Sequence, residues 1–222
     1  MKSKAFYRKH IKGVSMLAMM LIVYHFAIRA WMLDWGAPKK IQELNLSGDH
    51  LTIERGHTRA ILIRATPEKI WPWIVQLGQE RGGFYSYTWL ENFFFADMRN
   101  VYEIQNTLQQ PRMSGDTIWL ANKRNYNGKG YQIVAEIIPN NSLVMVGGDD
   151  FNRIKRADKA IGSWSIYLHP EDAESTWLIA RSASDEPFGT QVLRYITFEI
   201  PHFIMEQKML RTLKSLSEKN KI

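Results

Sequence analysis

The sequence predicts an α+β fold in which a curved antiparallel sheet wraps around one long C-terminal helix. A single apolar helix precedes it. Three observations predict this arrangement. Strand-length segments rich in β-branched and aromatic residues follow one another between positions 116 and 182, separated by turn-forming clusters. A long stripe of apolar residues at helical spacing runs from about Thr190 to Glu218. Near the N-terminus an almost uninterrupted apolar run extends from Gly13 to Leu33.

The 222 residues suffice for one domain of ordinary size with some chain to spare. Hydrophobic residues at 45% and charged residues at 23% exclude intrinsic disorder and a multi-span membrane protein. The absence of cysteine excludes disulfide scaffolds, thiolate metal sites, iron–sulfur clusters and cysteine nucleophiles. The 8 Trp, 9 Tyr and 10 Phe demand a large core, a cavity or an interface to hold their rings. A net charge of +7 comes mostly from Lys2, Lys4, Arg8, Lys9 and Lys12 in a short basic tail. The remaining chain is nearly balanced and carries no basic stripe, so nucleic acid is not an expected partner.

Val14 to Ile28 reads VSMLAMMLIVYHFAI, apolar except for Ser15 and His25, and the run continues past Arg29 to Leu33. About 20 residues span the hydrocarbon core of a bilayer. Trp31 and Trp35 suit the aromatic belt of an interface, and Arg29 can reach the headgroups. A signal peptide would need small residues at a cleavage site, and none follows convincingly. A surface helix would need a polar face, which the run lacks. The expectation is therefore a basic cytoplasmic tail (1–12), a transmembrane helix (13–33), a linker (34–50) and a domain (51–222). The positive-inside rule puts the N-terminus inside and the domain on the extracytoplasmic side of the cytoplasmic membrane.

Within the domain, HTRAILIRA (57–65) is a strand. Thr66, Pro67 and Glu68 then suit the N-cap and first turn of a helix. That helix carries Ile70, Trp71, Trp73, Ile74 and Leu77, and Gly78 can end it. A glycine hinge and a short aromatic helix follow in RGGFYSYTWLENFFF (81–95). Strands are expected at 116–121, 131–138, 142–148, 162–169 and 175–182. In the fourth, Trp164, Ile166 and Leu168 alternate with Ser165, Tyr167 and His169, the pattern of a sheet with one buried and one wet face. Pro201 falls inside the final helical stripe and should kink or interrupt it.

This element order, with ATPEKIWPWIVQLGQERGGFYSYTWLEN (65–92), GDTIWLA (115–121) and PHFIMEQKMLRTLK (201–214), resembles the SRPBCC superfamily. Its members share the START and Bet v 1-like helix-grip fold and include polyketide cyclases and lipid-transfer proteins. The resemblance covers roughly residues 50–214 and leaves out the apolar run. It implies a hydrophobic cavity between sheet and long helix.

The candidate ligand-binding lining is Trp71, Tyr85, Tyr87, Trp89, Trp119, Trp164 and Phe203, with Trp119 and Phe203 facing each other across the space. These rings could equally fill a packed core. Arg181 shares a strand face with Trp177 and Ile179. It would meet a ligand anion there, or pair with a glutamate such as Glu91 or Glu206. His202 and Glu206, four apart, form a structural pair or two metal ligands, but no third ligand is suggested nearby, so no metal is assigned. No catalytic motif, phosphate cradle or cofactor fingerprint is present. The reading is a membrane-anchored binding or carrier protein for a lipid or other hydrophobic small molecule, without cofactor and with no catalysis required. The alternatives are a cyclase/dehydrase-type enzyme acting on a polyketide-like or aromatic substrate, and a tethered interaction module. Oligomeric state is not legible.

Overall fold

A computed structural model describes residues 22–184 and 198–219, together with positions 10, 13, 15, 16, 19 and 20. The described chain is α+β, with a six-stranded antiparallel sheet and a C-terminal helix, consistent with a helix-grip fold. The strands are β1 (His57–Ile63), β2 (Thr117–Trp119), β3 (Tyr131–Ile138), β4 (Ser142–Val146), β5 (Gly162–Pro170) and β6 (Thr176–Ser184). Their spatial order is β1-β6-β5-β4-β3-β2, so consecutive hairpins build most of the sheet and the first strand closes onto the last.

Helices α1 (Arg29–Leu33) and α2 (Lys39–Gln42) precede the sheet. Helices α3 (Pro67–Val75) and α4 (Thr88–Phe93) lie between β1 and β2, and α5 (Gly148–Lys155) between β4 and β5; α6 (Ile200–Glu218) ends the chain. Pro201 sits in the first turn of α6, where a missing N–H costs nothing, and the two residues before the helix are π-helical. The expected helical positions Leu193 and Ile196 lie outside the described residues. Gly148, expected at the end of a strand, opens α5, with Asp149 and Asp150 in the first turn, where carboxylates suit the helix dipole.

Strand parity sorts the core into two layers. Ile63, Leu178, Ala180, Ile166, Leu168, Leu143, Met145, Val134 and Ile118 face α6, which contributes Met209, Leu210, Leu213 and Leu216. The same cluster takes Ile70, Trp73 and Ile74 of α3. The C-terminal carbonyls of α3 are not left bare. Arg81 donates to the Val75 carbonyl at 2.9 Å, and buried Arg112 donates to the carbonyls of Val75 and Leu77 while pairing with Glu80 at 2.9 Å.

The opposite sheet face is covered, not wet. Ala60, Val144, Tyr167 and Ile179 pack against Ala37, Ile41, Leu44, Leu46 and Leu51, so the stretch read as a linker lies along the convex side. Arg181 holds it there. Its guanidinium pairs with Asp49 at 2.7 Å and donates to Thr58 Oγ1 and to the carbonyls of Leu44 and Gln42. Only 2% of Arg181 is exposed.

The expectation of a transmembrane anchor, and with it of a single-pass protein at the cytoplasmic membrane, is corrected by the structure. Among the described residues no helix is long and apolar enough to cross a membrane. The end of the apolar run belongs to the domain. Met32 and Leu33 are buried, Asp34 accepts a hydrogen bond from the Thr58 amide at 3.1 Å, and Arg29 pairs with Glu199 at 2.9 Å. The earlier described residues of the run, among them Met16, Met19, Met20, Ile22 and Phe26, are exposed.

Ile41 is 1% exposed and seated on the convex face. Ile41→Ala should therefore destabilise the chain by roughly 2–4 kcal/mol, read as a lowered urea midpoint at unchanged slope. A cost below about 0.5 kcal/mol would mean that the stretch is a loose linker after all.

Candidate functional site

β1 points His57, Arg59, Ile61 and Ile63 to one side of the sheet. Arg59 pairs across the ladder with Ala180, and Ala180 with Ile166, both members of the α6-facing core. A guanidinium thus enters the concave face, where a charge must find partners. Arg59 donates to Glu206 Oε2 at 2.6 Å and to the Met32 carbonyl at 2.7 Å, and lies 3.4 Å from His202 Nδ1. The other carboxylate oxygen of Glu206 accepts from the Trp164 indole N–H at 2.6 Å. Burial alone would raise the Glu206 carboxyl. The charges of His202 and Arg59, with the hydrogen bonds from Arg59 and Trp164, outweigh it and hold the carboxyl below its usual range.

Aromatic rings wall this cluster. The Arg59 guanidinium lies 5.2 Å from the centroid of Phe203, and Trp31 meets Phe203 edge-on at 5.4 Å. Trp164 stands 5.6 Å from Phe84 and 6.0 Å from His202, and Phe198 stacks on His202 at 5.3 Å. The N-terminal end of α6 is therefore polar and aromatic where it meets the sheet. Its C-terminal half, from Met209 onward, packs on the sheet with aliphatic residues.

The segment from Phe84 to Phe93 borders the same end. Phe84 reaches Trp164, and the Lys208 ammonium of α6 lies 5.6 Å from the Tyr87 ring centroid. The turn before it is tight. Gly78 and Gly83 exchange two backbone hydrogen bonds, and Gly83 has φ +78°; a Cβ there would come 2.4 Å from Asn100 Oδ1. That turn places α4 with an inverted face: Glu91 is its one buried residue, while Trp89 is 69% and Phe93 71% exposed. Glu91 Oε2 is buried without a hydrogen-bond partner among the described residues, as are Ser86 Oγ and, on β3, Gln132 Oε1. Gln132 pairs with core residue Ile118 and therefore also faces the concave side. Burial raises the Glu91 carboxyl to about 7.

Of the residues predicted to bind a ligand, Trp164 and Phe203 stand at this end of the concave face and Tyr87 borders it. The others lie elsewhere. Trp71 packs partly buried on the main core. Tyr85 is fully buried, edge-on to Trp73, with its hydroxyl accepting from Gln76 at 3.2 Å; burial pushes its pKa up to about 12. Trp89 points outward. Trp119 follows core residue Ile118 on edge strand β2, so it takes the opposite face, 5.3 Å from Tyr131 and 5.4 Å from the Lys123 ammonium. It does not confront Phe203, which sits against Arg59 at the other edge of the sheet. Arg181 is spent on the convex side, with Asp49 rather than Glu91 or Glu206 as its acid. Glu206 and His202 do adjoin, but among the described residues no group of three potential metal ligands is present.

Sequence reasoning missed Arg59, Phe84 and the role of Glu91. Arg59 carried a usable signal, because it shares strand parity with Ile61 and Ile63, a charge on the core-facing register. Two surface dents, one lined by Asn122, Lys123, Arg124, Asn127 and Gly128 and the other by Phe94, Phe95, Asn125 and Tyr126, lie away from this cluster.

No family model matches the chain, and no curated protein matches it. Among solved structures, the Aha1 dimer from Colwellia psychrerythraea is 17% identical over 74% of this chain and 97% of that one, with a TM-score of 0.38. Protein MLL2253 from Mesorhizobium loti is 15% identical over 75% and 100%, with a TM-score of 0.39. DynU16, from the dynemicin biosynthetic locus, is 12% identical over 73% and 49%, with a TM-score of 0.35. The helix-grip description rests on strand order and helix placement in this chain.

Two predictions follow from the buried acids. Glu206→Leu leaves Arg59 buried without its anion and should cost about 3–5 kcal/mol, whereas Arg59→Met combined with Glu206→Leu should recover part of that loss, the Trp164 indole and the Met32 carbonyl still lacking their partners. A double variant no more stable than the single one would mean that the pair is not the coupled unit described. The second concerns pH. The folded chain holds the Glu91 proton more tightly than the unfolded chain, whose value is near 4.5. Stability from this group is therefore present at low pH and declines as pH rises through about 7. Between about pH 5 and pH 8 the loss should be roughly 2–3 kcal/mol, absent in Glu91→Gln, as measured by denaturant unfolding at each pH.

Proposed function

We propose that this chain is a helix-grip binding protein of the SRPBCC type that holds a mainly apolar small molecule at the N-terminal end of α6. The ligand lies between the concave sheet face and the segment from Phe84 to Phe93. One observation carries the reading: the concave face changes character along α6. Aliphatic packing fills the half from Met209 onward, whereas the half around Glu206 holds aromatic walls and a satisfied polar network. A purely structural core gains little from a buried ion pair, since apolar residues of similar volume are usually as stabilising. Rings with a few fixed polar groups are the composition of a ligand site.

Trp164, Phe84 and Phe203 are the proposed walls, with Arg59 and Glu206 holding Trp164 and α6 in register. The alternative enzymatic reading draws on a different observation, the Glu91 carboxyl raised to about 7 by burial. A carboxyl with that value suits general acid–base catalysis near neutrality, as cyclase or dehydrase chemistry would need.

Native mass spectrometry of the full chain, with extraction of co-purifying small molecules, and titration with 1-anilinonaphthalene-8-sulfonate test the proposal. Stoichiometric probe binding, weakened about fivefold or more by Phe84→Ala, is expected, in line with the 1–3 kcal/mol that such contacts contribute. Neither a co-purifying molecule nor saturable probe binding would overturn it.

A further inference from the structure

α4 is built inside out. Its aromatic residues Trp89 and Phe93 face solvent, and the single side chain it buries is that of Glu91. A short amphipathic helix normally does the reverse, because burying a carboxyl without a partner is costly. Only 8% of Glu91 is exposed, and its Oε2 has no hydrogen-bond partner among the described residues. An apolar residue at position 91 would bury more favourably, and α4 is already fixed by Asn92, whose side chain exchanges hydrogen bonds with Met98, and by Asn100, which donates to Thr88 Oγ1 and the Ser86 carbonyl.

We infer that Glu91 is the polar anchor of the ligand space, and that it selects an otherwise apolar molecule bearing a hydroxyl group. This rests on the apolar-ligand reading above and deepens it. The segment carrying Glu91 borders that space through Phe84, which lies against Trp164, and its Tyr87 ring lies 5.6 Å from the Lys208 ammonium of α6. A further buried oxygen without a partner among the described residues, Ser86 Oγ on the same segment, adds hydrogen-bonding capacity that no described protein group uses. A hydroxyl is the matching group because it donates and accepts. It can bond to a carboxylate as a donor or to a neutral carboxyl as an acceptor, and it adds no net charge to a desolvated site. The burial that raises the Glu91 carboxyl to about 7 means that both forms occur near neutral pH.

The experiment compares 2-naphthol with its near-isostere 2-methylnaphthalene and with 2-aminomethylnaphthalene, titrated by calorimetry into the full-length chain and into Glu91→Gln and Glu91→Leu. The unmodified chain should bind 2-naphthol about tenfold or more tightly than 2-methylnaphthalene. Glu91→Leu should bring that ratio to about one while 2-methylnaphthalene still binds, and Glu91→Gln, which keeps a polar group, should fall between. Difference infrared spectra of the unmodified chain supply a readout that needs no folded variant. The Glu91 carboxyl band should shift on adding 2-naphthol and not on adding 2-methylnaphthalene.

A naphthol preference that survives Glu91→Leu, or a silent carboxyl band, overturns the anchor while leaving the apolar site standing. Preference for the ammonium probe overturns the hydroxyl assignment. Binding of none of the three probes to the unmodified chain overturns the ligand space itself, and the anchor with it.

Discussion

One carboxylate joins what would otherwise be separate layers. Glu206 takes the Arg59 guanidinium from β1 on one oxygen and the Trp164 indole from β5 on the other, and Arg59 passes the connection to the Met32 carbonyl ahead of the sheet. Edge strand, central strand, C-terminal helix and N-terminal lead-in are thereby fixed at one point. Both charged side chains are nearly inaccessible, at 6% and 2% exposure. In so dry a setting a hydrogen bond is strong and a missing one expensive, so the geometry tolerates little slack. The relative position of sheet and helix is set by polar contacts at one end and aliphatic packing at the other.

A second guanidinium does similar work on the other side. Arg181 gathers backbone carbonyls from α2 and the residues just after it, along with the Asp49 carboxylate, and so spreads the lead-in over the convex face. The sheet thus has two dry faces, each organised by an arginine on a core-facing register. That differs from an ordinary two-layer arrangement with one wet face. It also explains why residues such as Ala60 and Val144 are as inaccessible as those beneath α6.

The fold was largely legible because its strands and long helix have clean periods, and turn chemistry separates the hairpins. The site was less so. Alternation along β5 places Trp164, Ile166 and Leu168 together, but it cannot say what covers the other parity, so Tyr167 read as wet although it is buried against the lead-in. Trp119 and Arg181 were assigned to the cavity by ring size and charge, whereas the register of Ile118 and Ile179 puts each on the other side. Glu91 was out of reach for a different reason. A helix with Trp89 and Phe93 suggests a face turned inward, and nothing local shows that the glutamate takes that face instead. The apolar run before Asp34 misled for want of a reference state. Apolar composition does not show that, among the run's described residues, only the last, Met32 and Leu33, are buried against the domain.

The closure of β1 onto β6 has a consequence in time. Arg59 and Glu206 are 147 positions apart in the chain. Such a contact waits until α6 is available, and the entropy of closing so long a loop slows its formation. The hairpins from β2 to β6 can assemble from neighbouring segments, but the lead-in and the first strand have nowhere to dock until the last strand and helix emerge. During synthesis, Met32, Leu33 and Ile41 must therefore remain uncovered for most of the elongation period. The hazardous interval is the one before β6 and α6 are made, when the apolar residues that dock on them are open to other molecules.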